Sequence, residues 1–232
     1  MSTQKPQLKD PLLETYSRTE TYVKKNQKNL IMVAGAIALI ILGIFGYNQW
    51  IKAPKEVEAN NQIYLLEQYF EKDSMDIVLN GNPKENVLGG IDFVDEYGGT
   101  KAGQRAAFMV GTIYFQKGEW AAAIDYLQKF DLKDIALYPN TLALIGDCHV
   151  ELKEYDKALS SYKKAFSAGE KNKMSAPMIL KKMGLVQEQL QDYKGAAASY
   201  TKIKTDYNET ELARTIDLYI NRALAKAGES NF

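Results

Sequence analysis

Three stretches of this chain carry the same pattern at the same internal offsets, and that self-similarity limits the possible folds more than any other feature. Gly111, Trp120, Ala123 and Leu127 are matched by Gly146, Tyr155, Ala158 and Tyr162, and again by Gly184, Tyr193, Ala196 and Tyr200. The aromatic follows the glycine by nine positions, the alanine by twelve and the larger residue by sixteen. A recurrence of this kind marks stacked supersecondary units. Glu119, Glu154 and Asp192 precede the aromatics, where a carboxylate would cap a second helix after a turn. Each unit therefore reads as helix, turn, helix.

The small residues have a packing reason. Glycine inside a helix costs about 1 kcal/mol relative to alanine, so its recurrence in three apolar-periodic first helices points to close helix approach. Ala123, Ala158 and Ala196 serve the same purpose on the second helices, and the aromatics fill the wedge between the pair. Each unit leaves an apolar face that only a neighbour can cover.

At these residues the chain resembles a tetratricopeptide repeat protein. Leu142, Ile145, Gly146, Tyr155, Ala158, Tyr162 and Ala165 match that family's pattern, as do Leu180, Met183, Gly184, Tyr193, Ala196 and Tyr200. The first unit fits through Val110, Gly111, Tyr114, Trp120, Ala123 and Leu127, with Ala107 where a large residue is usual. His149 and Gln187 stand where the family often has tyrosine. The glycines are 35 and then 38 residues apart, against about 34 in the consensus, which places an insertion in the polar 169–175 loop. The resemblance spans residues 104–206 and implies an α-solenoid.

Outside it, residues 209–226 carry Leu212, Ile216, Tyr219, Ile220 and Leu224 on one face and read as a capping helix within 207–232. Before it, residues 57–79 and 84–96 each show helical spacing, with Asn80-Gly81-Asn82-Pro83 and Gly98-Gly99 as breaks. Residues 51–103 thus read as a divergent helical pair.

Residues 30–47, LIMVAGAIALIILGIFGY, contain no charge. As a helix they span about 27 Å, and 48–50 extend them to the thickness of a bilayer core. The segment is too long, and Tyr47-Asn48-Gln49-Trp50 too bulky, for a cleaved signal peptide, so 30–50 reads as a transmembrane anchor. Lys24, Lys25 and Lys28, with Arg18 behind them, crowd its amino-terminal side, whereas Lys52 and Lys55 are soon joined by Glu56 and Glu58. The positive-inside bias puts residues 1–29, a polar and flexible tail, in the cytoplasm and the repeats across the membrane. Ala34, Ala38, Gly35, Gly43 and Gly46 offer small surfaces for packing on another membrane helix. The fold class is all-α: a single N-terminal transmembrane helix, a tetratricopeptide-repeat solenoid and a C-terminal capping helix.

The remaining composition excludes several functions. Residues 1–29 hold six Lys or Arg and three acids; of the chain's 29 of each sign, 23 basic and 26 acidic residues follow, and no basic stripe for nucleic acid is present. The single cysteine, Cys148, reads as a small buried hydrophobe, and His149 beside it points elsewhere on the same helix, so the two form neither dyad nor metal pair. Gly98-Gly99-Thr100-Lys101 lacks the spacing of a phosphate loop, and Asp92, Asp95 and Glu96 read as a solvated face. No catalytic residue, cofactor site or metal site is expected.

A binding surface is what remains. The repeat family's groove positions, carried onto this chain, are Arg105, Phe108, Thr112 and Phe115; Asn140, Ala143, Asp147 and Val150; and Met178, Lys181, Leu185 and Glu188. Relatives that clamp a terminal carboxylate use lysine and asparagine where this chain has Phe108 and Thr112. The order of anchor and repeats resembles the YfgM family, ancillary subunits of the bacterial SecYEG translocon. That resemblance implies an inner-membrane protein whose periplasmic repeats hold a PpiD-like chaperone or nascent exported proteins near the channel exit. A scaffold of cell-wall synthesis or outer-membrane assembly would use the same parts. An enzyme with Asp92 and Asp95 between residues 57–96 and the repeats is a third reading.

Overall fold

The computed structural model describes residues 11–229; residues 1–10, part of the expected tail, and 230–232 lie outside the described residues. The chain divides into two units, the first ending at Pro54 and the second starting at Lys55. In the first, α1 (Pro11–Tyr47) passes into a π-helical turn at Asn48–Lys52. The apolar stretch of α1 buries nothing: Leu39, Leu42 and Phe45 are 70, 64 and 66 % exposed. Among the described residues, one helix is thus long and apolar enough to cross a membrane. The polar 11–29 stretch is helical as well; Glu20 pairs with Lys24 at 2.7 Å, and residues adding to an existing helix avoid the cost of nucleation.

The second unit is a run of helices. After α2 (Ala53–Glu71), α3 (Met75–Asn80), a 3-10 turn at Pro83–Glu85 and α4 (Gly90–Tyr97) come three helical pairs. These are α5 (Lys101–Gln116) with α6 (Trp120–Leu127), α7 (Leu137–Glu151) with α8 (Tyr155–Gly169), and α9 (Ala176–Gln189) with α10 (Tyr193–Asp206). Two further helices, α11 (Glu211–Thr215) and α12 (Asp217–Lys226), follow. Every second helix packs closely on the first helix of its own unit and of the next element. Three apolar clusters follow one another along the array and share bordering residues such as Phe108 and Leu142, as expected of a quasi-one-dimensional core.

The repeated glycines meet the repeated large residues. A Cβ on Gly146 would lie 2.5 Å from Tyr162 Cε1, and one on Gly111 2.7 Å from Leu127 Cγ. On Gly184 it would strike the Tyr200 ring. Leu127, Tyr162 and Tyr200 are 0, 2 and 0 % exposed, so a full-sized side chain of the second helix seals directly onto the backbone of the first.

Each first helix also ends alike. Gly118, Lys153 and Gln191 have φ of 77°, 57° and 59°, and the amides of Glu119, Glu154 and Asp192 donate to the carbonyls of Tyr114, His149 and Gln187. With the bonds from 118, 153 and 191 to Phe115, Val150 and Glu188, this is the Schellman closure. The acids then begin the second helices unequally. Asp192 Oδ1 accepts from Gly195 N at 3.0 Å, whereas Glu119 and Glu154 make no side-chain cap. Glu154, one methylene longer, instead reaches His149 Nδ1 at 2.7 Å and Lys157 at 2.8 Å.

The same closure exposes two units that the residue pattern hides. Asp73, with φ 57°, bonds to Phe70 and the Ser74 amide to Tyr69, so what the spacing reads as one helix over 57–79 is split into α2 and α3, a fourth pair. In register, Leu66 stands where the others have glycine and Val78 where they have alanine; both are buried. A leucine there forbids the close approach; α2 instead buries Ala59, Ile63 and Leu66 in the N-terminal cluster, and polar side chains add to that contact. Glu56 accepts from the Lys101 amide at 3.0 and 3.1 Å, and Gln62 donates to Tyr97 Oη at 3.0 Å. At the far end Gly228, φ 76°, and the Glu229-to-Leu224 bond close α12 in the same way. Counted from that closure, Asn221 occupies the glycine position and Asp217 the Leu142 position, both exposed; α12 is a first helix with a solvated outer face.

The α6 helix is only 8 residues long, against 15 for α8. Phe130 turns inward, 3 % exposed, its ring 5.6 Å from that of Phe108, and this anchor ends the helix early. Asp134 Oδ1 then accepts from the Ala136 and Leu137 amides at 2.8 Å and opens α7, which holds the Asp134 carboxyl below the usual range.

Two measurements check this account. Gly146→Ala, a change that favours an isolated helix by about 1 kcal/mol, should destabilise this one by about 1–3 kcal/mol through overpacking on Tyr162; an unchanged thermal midpoint by circular dichroism would refute the close approach. Lys153→Gly and Gln191→Gly should each stabilise by about 0.5–1 kcal/mol, the relief of left-handed strain less the entropy glycine loses on folding. A lower urea midpoint in either variant would contradict the assigned turns.

Candidate protein-interaction surface

Long side chains bridge the first helices α2 to α5, α7 to α9 and α9 to α12, while α6, α8 and α10 pack tightly behind the first helices. The bridges form a recurring electrostatic pattern. Arg105 Nε meets Glu67 at 2.8 Å, with Asn60 at 3.1 Å from its guanidinium. Lys182 Nζ meets Asp147 at 2.6 and 2.8 Å, and Arg222 meets Glu188 at 2.6 Å. In each case a base reaches back to an acid of the preceding first helix. The buried tyrosines join two of these bridges: Tyr162 Oη donates to Asp147 at 2.6 Å, and Tyr200 Oη to Glu188 at 2.9 Å. Burial and then the acceptor carboxylate push both phenols well up. One network thus couples the core to the face.

Several residues assigned to the groove are therefore engaged within the protein. Glu188, its side chain 9 % exposed, holds Arg222 and Lys226, and Asp147 holds Lys182. Phe108 packs on Phe130, and Phe115 lies edge-on to Trp120 with centroids 5.2 Å apart. Ala143 is buried, Val150 half-buried against the C-terminal cluster, and the Thr112 hydroxyl donates to the Phe108 carbonyl at 2.8 Å. Asn140 is exposed, as are Met178 at 50 % and Leu185 at 39 %. Lys181 Nζ rests 4.8 Å from the Tyr219 ring centroid. Residues of α12 complete this end of the face: Leu218, 71 % exposed, together with Tyr219 and Arg222. Sequence reasoning read that segment only as a cap, although Gly228 would have set its register.

Cys148 is fully buried, and burial pushes its thiol up to about 12. Asp92 and Asp95 are exposed on α4, and neither lines the pocket of about 550 Å³ that Glu58, Gln62, Leu65, Glu96 and Tyr97 border beside that helix. Among the described residues, no three His, Cys, Asp or Glu side chains come together as a metal group.

Residues 105–133 and 139–172 each match a family model for the tetratricopeptide repeat, covering the pairs α5–α6 and α7–α8. The chain carries tetratricopeptide repeats, a class of helical array that serves protein interaction. No curated protein matches the sequence. Among the solved structures that are similar are two crystal structures of MamA. One is 17 % identical with TM-score 0.39, over 60 % of this chain and 91 % of that one. The other is 16 % identical with TM-score 0.47, over 74 % and 92 %. At those scores neither bears on function; the repeats themselves carry the assignment.

The Glu188 bridge has an acid signature. Burial raises this carboxyl, but the Arg222 and Tyr200 hydrogen bonds outweigh it and the net pKa is lowered below the ordinary 4.5. A group depressed in the folded state stabilises above its unfolded pKa and loses that contribution as pH falls through the folded value. Arg222→Met should therefore lower the melting temperature near pH 7, and the gap from the unmodified protein should narrow below about pH 4. A gap independent of pH would remove Glu188 from the network.

Proposed function

We propose that this protein is a non-catalytic scaffold of the bacterial inner membrane, with its amino terminus in the cytoplasm and its repeats in the periplasm, where they hold chaperones or emerging clients near the SecYEG exit. The observation that carries this reading is the pairing of an interaction array with one exposed apolar helix flanked by lysines on its amino-terminal side. The lysine bias supports the orientation, and Tyr47 and Trp50, 57 and 80 % exposed, suit the outer interface. The resemblance to the YfgM family supports the translocon and a PpiD-like chaperone as partners. A scaffold for another envelope machine uses the same anchor and array and differs only in what is captured.

Anchoring supplies the energetic logic. A module tethered beside a channel meets the emerging chain at an effective concentration of about millimolar, so weak contacts suffice. That fits a face whose strongest charges are largely tied to one another.

Two experiments test the proposal. Lys171→Cys places a thiol on an exposed loop, and an impermeant maleimide should label it in cells with a permeabilised outer membrane. Cys148, buried and with its thiol pushed up, should give little background. Labelling only after lysis would put the repeats in the cytoplasm. Photocrosslinkers at Phe115 and Lys181 should yield translocon or chaperone adducts; adducts confined to wall-synthesis or outer-membrane assembly proteins would favour the other machine.

A further inference from the structure

The bridges between first helices leave a charge imbalance at one end of the face. Glu67, Asp147 and Glu188 are matched by Arg105, Lys182 and Arg222. Two cations are surplus. Lys181 lies on the Tyr219 ring with no carboxylate partner among the described residues, and Lys226 shares Glu188 with Arg222 at 3.5 Å. Both stand on α9 or α12, in a chain whose residues after 29 carry three more acids than bases. The screening length in physiological salt is about 8 Å, so a ligand on this face responds to the local cations rather than to the acidic remainder.

Beside these cations lie the exposed apolar groups of the same two helices, Met178, Leu185 and Leu218. Met178 and Leu185 are seven residues apart on α9, about 10.5 Å along its axis, and Lys181 on Tyr219 places the Leu218 turn of α12 alongside them. A partner helix presents apolar groups at that same seven-residue interval, and the thioether of Met178 adapts to varied shapes.

We infer that α9 and α12 form a docking strip for an acidic amphipathic helix of a partner protein, its apolar face on Met178, Leu185 and Leu218 and its carboxylates against Lys181 and Lys226. This rests on reading the repeats as a protein-interaction array and names the partner's chemistry.

The test uses the full chain in nanodiscs of phosphatidylcholine, which carries no net charge. The probe is a fluorescein-labelled helical peptide of 18 residues, leucine at one-face positions and glutamate beside them, compared with versions carrying lysine for glutamate or serine for leucine. The acidic leucine peptide should bind, more weakly as salt rises, and both altered peptides should lose at least about tenfold in affinity. Lys181→Gln combined with Lys226→Gln, and separately Leu218→Ser, should each weaken the acidic peptide about tenfold with the helical circular-dichroism signal at the assay temperature retained. Equal binding of the lysine version, or indifference to these variants, overturns the proposal. Sedimentation that shows a dimer dissolved by the peptide and by the lysine variants also overturns it, because the strip is then an interface between two copies. Location is separable: adducts confined to other envelope proteins with peptide binding intact would sink the translocon reading alone, and translocon adducts from Phe115 without peptide binding would sink only this strip.

Discussion

Three glycines without side chains set the spacing of the repeat array. Where a Cβ is missing at Gly111, Gly146 and Gly184, the ring or branched end of Leu127, Tyr162 or Tyr200 lies against the backbone of the first helix, and both helices lose water from the seam. Dispersion grows with close-packed heavy atoms and drops sharply with a gap of even half an ångström. The glycines therefore offset their own conformational cost through the contacts they admit. The counter-example lies in the same chain: Leu66 occupies that position in α2 and is itself buried with Ala59 and Ile63 in the N-terminal cluster, so α2 gives the core side chains rather than a bare backbone.

The tyrosines extend this constraint to the surface. Tyr162 and Tyr200 are buried by their rings but keep a hydroxyl that must find a partner. Each finds a carboxylate on the first helix, Asp147 or Glu188, and each carboxylate is then balanced by a base from the next first helix. In the first unit, Leu127 replaces tyrosine, and α5 carries no acid at all. There the junction toward α7 is filled by Phe108, Phe115 and Trp120 instead. The two units with tyrosine at this position carry an ionic bridge toward the next first helix, and the unit with leucine carries an aromatic contact.

Much of the fold was legible because it depends on spacing. The glycine, aromatic and alanine offsets located α5 to α10, and the charge-free run located the apolar part of α1. Hidden elements were those whose signal is a backbone conformation rather than a residue type. Asp73 and Gln191 adopt left-handed φ without being glycine, so the break between α2 and α3 gives no compositional warning. Phe130 shortens α6 through a tertiary contact that no local window contains. The surface was less legible for a related reason. Register identifies which residues face outward, but Asp147 and Glu188 face partners 35 and 34 residues further along the chain, and only the assembled array shows that their charges are already engaged.

That engagement shapes what the array can do. An acid held by two bases and a tyrosine hydroxyl, as Glu188 is, offers a ligand little without first giving up contacts of similar strength, since an exchange of ion pairs is close to neutral. Net attraction comes from groups that are outside the network and from apolar surface that water covers poorly. Both coincide on α9 and α12, where Lys181 has no carboxylate partner among the described residues and Met178, Leu185 and Leu218 are exposed. A repeat array that satisfies its internal charges along most of its length concentrates its binding capacity where a cation and exposed apolar groups stand outside those pairs.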